Sequence, residues 1–178
     1  MTLTNPQIKM KLLNYIFLFS ICFVLFSSCK KDEEEPLIDI NVQAEREDQI
    51  IQQYLVENNL TAQKTASGIY YIVLQEGQGT LLPSNKSVVV VNYVGTVLYG
   101  RQFDSSYEKG EPLTFTVGER MVVAGFDQAA KQMKVGEKTR FFIPSRYAYG
   151  ATGISSGGRE IIHPFAILVF EVKLEQIK

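Results

Sequence analysis

With 178 residues, a formal net charge of −1 and no concentrated run of Lys and Arg, the chain is sized for one ordinary domain plus an appendage and lacks the electrostatic footprint of a nucleic-acid binder. Its hydrophobic content of 46% and charged content of 21% fit a folded protein and argue against general disorder. Both cysteines, Cys22 and Cys29, precede the stretch that can fold, which excludes disulfides, thiolate metal sites and cysteine nucleophiles from that stretch.

In chain order, the first element predicted is an export signal. Lys9 and Lys11 precede an apolar run over residues 15–26, a basic region followed by a hydrophobic one too short to span a bilayer, for which about 20 apolar residues are needed. The run ends in Phe26-Ser27-Ser28-Cys29, which resembles the lipobox of bacterial lipoproteins, with Phe26 standing where that motif favours leucine. The resemblance implies a signal peptide over residues 1–28, removed to leave Cys29 as a lipidated first residue; an uncleaved signal anchor is the alternative. Membrane attachment through lipid alone is physically sufficient, because each buried methylene contributes about 0.8 kcal/mol and lipoproteins of this kind carry more than one chain. Residues 29–43 read as an acidic tether: residues 30–60 hold nine acids and three bases, whereas residues 61–178 hold ten acids and thirteen bases. The charge run directly after Cys29 is either a hydrated spacer or, by resemblance, an export signal of outer-membrane and surface lipoproteins. The expected location is therefore the cell envelope, at the outer membrane, facing either the periplasm or the surface.

Residues 44–67 form a linker whose helical part covers residues 44–58, with a narrow apolar stripe of Ile50, Ile51, Tyr54 and Leu55 that docks on the following domain or serves as a stalk. From Gly68 the pattern turns to strands. Residues 69–74, 88–98, 112–117, 138–143 and 166–174 carry the β-branched and aromatic content of strands, with Val89, Val91 and Tyr93 sharing one face and Leu168, Phe170, Val172 and Leu174 another. The opposite face of the last strand, with Glu171 and Lys173, reads as wet. One short helix is predicted over residues 125–133, where Phe126, Ala129, Ala130 and Met133 recur at helical spacing before Gly136. A single helix must bury that stripe against the sheet, so the fold class predicted for residues 68–178 is α+β, a strongly bent antiparallel β-sheet wrapped on one short α-helix and preceded by an N-terminal helix.

Five fragments carry the functional reading: Val91-Asn92-Tyr93-Val94-Gly95, Phe103-Asp104-Ser105-Ser106, Val122-Val123-Ala124-Gly125-Phe126, Tyr147-Ala148-Tyr149-Gly150-Ala151-Thr152-Gly153 and Ala166-Ile167-Leu168-Val169-Phe170. In this order and spacing they resemble the FKBP-type peptidyl-prolyl isomerase family. The resemblance implies a prolyl pocket walled by Tyr93, Phe103, Val122, Val123, Tyr149, Ile162 and Phe170 over a floor of Phe126. It implies that Asp104 orients Tyr93 without transferring a proton, and that the Tyr149 hydroxyl and the Ile162 backbone N–H donate to the substrate. Taken singly, each aromatic is better read as core packing and Asp104-Ser105-Ser106 as an ordinary Asx-type turn. Four positions depart from the family's pattern: Phe126 where Trp is frequent, Leu113 for an aromatic wall residue, Lys109 for an Arg paired with the aspartate, and Met121 for an acidic residue. Tyr147 is read as structural, residues 154–160 as a lengthened loop beside the pocket, and His163 as no metal ligand.

The expected function is isomerisation of X-Pro bonds in exported proteins by a monomer that uses no cofactor and no metal. Its partners are proline-containing polypeptides and, through Cys29, a membrane. The other readings are a prolyl-peptide-binding or chaperone module with little catalysis and an accessory lipoprotein of a surface or motility machine.

Overall fold

A computed structural model describes residues 39–178. The expected signal peptide, Cys29 and the first ten residues of the acidic tether lie outside the described residues. Helix α1, Ile40–Glu57, begins four residues earlier than its composition predicts, because Asp39 takes the N-cap position and its carboxylate accepts from the Asn41 N–H at 2.8 Å. The tether expected to run to residue 43 therefore gives way to helix at residue 40. After Asn58, whose N–H and side chain both reach back to the Tyr54 carbonyl, the chain straightens into the short strand β1, Gln63–Lys64.

The strands that follow are β2 (Tyr70–Gln75), β3 (Val88–Val97), β4 (Gln102–Ser105), β5 (Leu113–Thr116), β6 (Lys138–Ile143), β7 (Ile154–Ser156), β8 (Arg159–Ile162) and β9 (Leu168–Ile177). The main sheet is antiparallel in the order β1-β2-β6-β9-β3-β4, and β5 also pairs with β3. β3 serves both, with residues 88–91 against β5 and residues 94–96 against β4. Between β4 and β5 sits one helical turn, α2 (Ser106–Lys109), and between β5 and β6 the helix α3 (Ala124–Ala130), whose Phe126, Ala129 and Ala130 are buried as the spacing predicts. α3 lies close to the sheet because Gly125 carries no side chain: a Cβ there would stand 2.2 Å from Ile143 Cγ2.

Strand alternation sends Ile69, Val89, Val91, Tyr93, Phe141, Ile143, Leu168, Phe170, Val172 and Leu174 into one core with α3. The residues between them do not all face water. Tyr70, Leu98, Phe142, Ile167 and Val169 form a second core on the other face, closed by Ile51 and Leu55 of α1. The wet face expected for β9 is thus wet only along Glu171 and Lys173, where Glu171 pairs with Arg140 and Lys138, while Val169 is buried under α1. The stretch read as a lengthened loop is a separate hairpin, β7-β8, turned by Gly157 and Gly158 at φ 58° and 74°, a two-residue turn that requires left-handed backbone at both positions. Among the described residues, no helix is long and apolar enough to cross a membrane.

Candidate functional site

β3 and β4 place the polar edge of the site. Their register sets Gly95 opposite Asp104, and the Tyr93 hydroxyl donates to Asp104 Oδ2 at 2.6 Å. Each residue after Asp104 has its own local task. Ser105 caps α2 by accepting from the Tyr107 N–H, and the buried Ser106 hydroxyl accepts from the Tyr93 N–H at 2.9 Å while donating to Asn92 Oδ1. The turn is therefore tied to β3 at the residue that carries the phenol. α2 then delivers Lys109, whose Nζ lies 2.6 Å from Asp104 Oδ1 and donates to the Tyr93 hydroxyl at 3.1 Å. The charged partner of Asp104 is a lysine, which meets the carboxylate as a point charge where an arginine would offer a planar fork.

The electrostatics follow from this trio. Burial pushes the Asp104 carboxyl up, but hydrogen bonds from Lys109 and Tyr93 outweigh it and hold the group below the ordinary aspartate value. Burial, followed by the bond to Asp104, raises the Tyr93 phenol, and the bonds to Asp104 and Tyr93 raise Lys109. At neutral pH Asp104 is a carboxylate, Tyr93 a neutral donor and Lys109 a cation.

Beside the trio opens a cleft of about 220 Å³ lined by Tyr93, Phe103, Asp104, Leu113, Met121, Val122, Val123, Phe126, Tyr149 and Phe170. Phe126, projecting from the first turn of α3, is almost completely buried at the centre of the aromatic set. Its ring meets Phe170 at 5.0 Å, Tyr93 at 5.6 Å and Phe115 at 5.8 Å, all edge to face. Phe103 closes on Phe170 at 5.6 Å, and their approach depends on Gly95, where a Cβ would lie 2.8 Å from both rings. Tyr149 enters from the segment after β6, which passes through a 3₁₀ turn, Ser145–Tyr147. Its phenol is raised by burial and then by the charge of Asp104, so it too is a neutral donor at neutral pH.

Eight of the nine protein-site residues predicted from the sequence thus meet at one cleft. The ninth, Ile162, sits on β8 opposite Ile154, its side chain buried in the same core cluster as Tyr93, Phe126 and Phe170. Leu113 and Met121, named in the sequence only as departures, are lining residues, and Met121 is 60% exposed at the mouth. Lys109 is a full member of the polar trio. The paired acid and base five residues apart were the available signal for it, but they become neighbours only once α2 turns the chain. His163 is exposed, its Nδ1 2.8 Å from the Pro164 carbonyl oxygen.

A family model described as FKBP-type peptidyl-prolyl cis-trans isomerase matches residues 79–175. The chain belongs to this family. Its FKBP region is 42% identical over 111 residues to FK506-binding protein 1A of Neurospora crassa, a match that covers 62% of this chain and 89% of that protein. To FkpA of Escherichia coli, described as an FKBP-type peptidyl-prolyl cis-trans isomerase, it is 40% identical over 116 residues, which are 65% of this chain but only 40% of the FkpA sequence. Among solved structures, FkpA from Escherichia coli superimposes with a TM-score of 0.62 at 32% identity, covering 78% of this chain and 62% of that one. AtFKBP13 superimposes with a TM-score of 0.61 at 30% identity, covering 66% and 99%. The FKBP fold, a curved antiparallel sheet with a short helix, is the architecture described above.

Proposed function

We propose that this FKBP-type isomerase acts on X-Pro bonds of exported polypeptides while held to the cell envelope by lipid on Cys29. The observation that carries the catalytic part is the composition of the cleft: aromatic and aliphatic walls around a buried Phe126, with polar groups confined to Tyr93, Asp104 and Tyr149. Rotation about an amide must overcome a barrier of about 18–20 kcal/mol because the C–N resonance is lost. Water on the carbonyl favours the planar, charge-separated form. An apolar cleft that takes up the prolyl ring removes that water and so narrows the gap to the twisted form. No nucleophile and no proton transfer are needed. In this reading Tyr149 donates its hydroxyl to the substrate carbonyl. Asp104, held anionic by Lys109, fixes the Tyr93 phenol and biases the field across the cleft. The backbone N–H of Ile162 is the second donor in this reading.

A protease-coupled assay on Xaa-Pro peptides tests this. Tyr149→Phe combined with Asp104→Ala is expected to reduce kcat/KM by about tenfold or more. Phe126→Trp is expected to raise it about fivefold, the scale of one added aromatic contact. A flat baseline with peptide binding retained would instead favour a prolyl-binding or chaperone module. The envelope part rests on the Lys9 to Cys29 pattern in the sequence. Cys29→Ser is expected to move the protein from the membrane to the soluble fraction, and unchanged membrane retention would rule out lipid anchoring.

A further inference from the structure

The buried stripe of α1 contains one charged residue. Glu47 precedes Ile51 and Leu55 at four-residue intervals, and it is 1% exposed. A carboxylate in that position is costly unless its oxygens are hydrogen-bonded. Here they are: Oε2 accepts from the Ser145 N–H at 2.8 Å, and Oε1 accepts from the Ser145 hydroxyl and from the Gln43 side-chain amide. An apolar residue of similar volume would dock the helix as well or better, since buried charges add little to net stability. The carboxylate does something an apolar residue would not do, which is to hold one particular residue, Ser145, by both its backbone N–H and its hydroxyl.

That residue anchors the segment bearing Tyr149. Ser145 follows β6 after Pro144, and its carbonyl accepts the N–H groups of both Ala148 and Gly150, at 2.8 and 2.9 Å, the two residues that flank Tyr149. Gly150 in turn accepts from the Phe165 N–H at 2.8 Å, and the Tyr149 carbonyl from the Gly153 N–H at 3.2 Å. The orientation of the Tyr149 ring over the cleft therefore depends on a chain of bonds that begins on α1, outside the matched residues 79–175. We propose that Glu47 is a positioning residue of the isomerase site: by holding Ser145 it aims Tyr149 at the substrate, which makes the N-terminal helix part of the catalytic unit. The inference rests on the reading that Tyr149 contacts the substrate.

The test uses the full chain in detergent micelles and reads two quantities, hydrogen–deuterium exchange of the segment 145–150 and kcat/KM on an Xaa-Pro peptide. Glu47→Ala is expected to speed exchange in that segment about tenfold and to lower kcat/KM about fivefold. Glu47→Gln, which keeps a carbonyl acceptor, is expected to restore both to within about twofold of the parent. Val89→Ala, buried in the main core away from the cleft, is the control for general loss of stability and is expected to change neither quantity comparably at a matched fall in Tm. Ser145→Ala removes one of the three donors to Glu47 and takes the place of Glu47→Ala if that variant does not fold. Unchanged exchange and turnover in Glu47→Ala, or equal losses in Val89→Ala, would overturn the proposal. If Tyr149→Phe proves fully active, it is the substrate-contact reading that fails, and the exchange measurement still decides whether Glu47 holds the segment.

Discussion

At the scale of single residues, the polar edge of the cleft is a problem of three groups whose protonation states support one another. Asp104 has a lower pKa folded than unfolded, so its contribution to stability is fully present above the unfolded value, near pH 4, and is lost as pH falls through the lower folded value. Tyr93 and Lys109 have raised values, so their contribution is present below about pH 10 and is lost as pH rises through the folded values. Asp104 and Lys109 are both partly exposed, with side-chain exposures of 32% and 55%, and solvent screening keeps the pair near about 0.5–1 kcal/mol. The stability difference between the parent and Asp104→Asn is expected to be constant from about pH 5 to pH 8 and to shrink below about pH 4. Urea unfolding across that range measures it, and a difference that persists unchanged into strong acid would show that Asp104 is not held in its charged form.

At the scale of elements, the site depends on close approaches that only small residues allow. β4 and β9 bring Phe103 and Phe170 together over Gly95 of β3. Gly95→Ala places a methyl group 2.8 Å from both rings, and one ring must move. A stability loss of about 1–3 kcal/mol is expected, together with a fall in kcat/KM of about tenfold as the cleft wall shifts. Denaturant melts and the peptide assay read the two effects separately. A variant with parent-like activity would mean that Phe103 does not shape the site. α1 is pinned in a comparable way at its other end, where the Tyr99 hydroxyl donates to Glu57 and the Tyr99 ring meets Tyr54 edge to face at 5.0 Å. The hydrogen bond to Glu57 raises the Tyr99 phenol to about 12.

At the scale of the whole described chain, the sheet is shared between two apolar clusters. One is closed by α3 and contains the cleft aromatics, and the other is closed by α1. Residues of β2, β6 and β9 alternate between them, so loss of either cluster loosens the strands that build the other. Unfolding of residues 39–178 is therefore expected to be one cooperative transition. Ile51, fully buried on α1, tests this: Ile51→Ala should cost about 2–4 kcal/mol and lower the single Tm by roughly 10 °C. Circular dichroism and tyrosine fluorescence should report the same midpoint. An early separate transition for α1 would show that the helix is only a stalk.

How much of this was legible in the sequence depends on the range of the signal. Period-two and period-3.6 patterns are local, and the residues themselves determined the main strands, the buried face of α3 and the α+β class. The ordered fragments from Val91 to Phe170 carried the resemblance to the FKBP family, and it is that resemblance which pointed to eight residues that line the cleft. What tertiary structure alone decided are matters of which distant segment covers which surface. Val169 reads as part of the wet face of the last strand and is buried because α1 folds back over it. Met121 reads only as a departure from the family's pattern and takes a place on the cleft. Glu47 is in the sequence one of the nine acids of residues 30–60, and it is buried against a partner, Ser145, that lies 98 residues further along the chain. A side chain's own neighbours set its secondary structure, but whether it meets water, a ring or a buried hydroxyl is set by contacts that no local pattern contains.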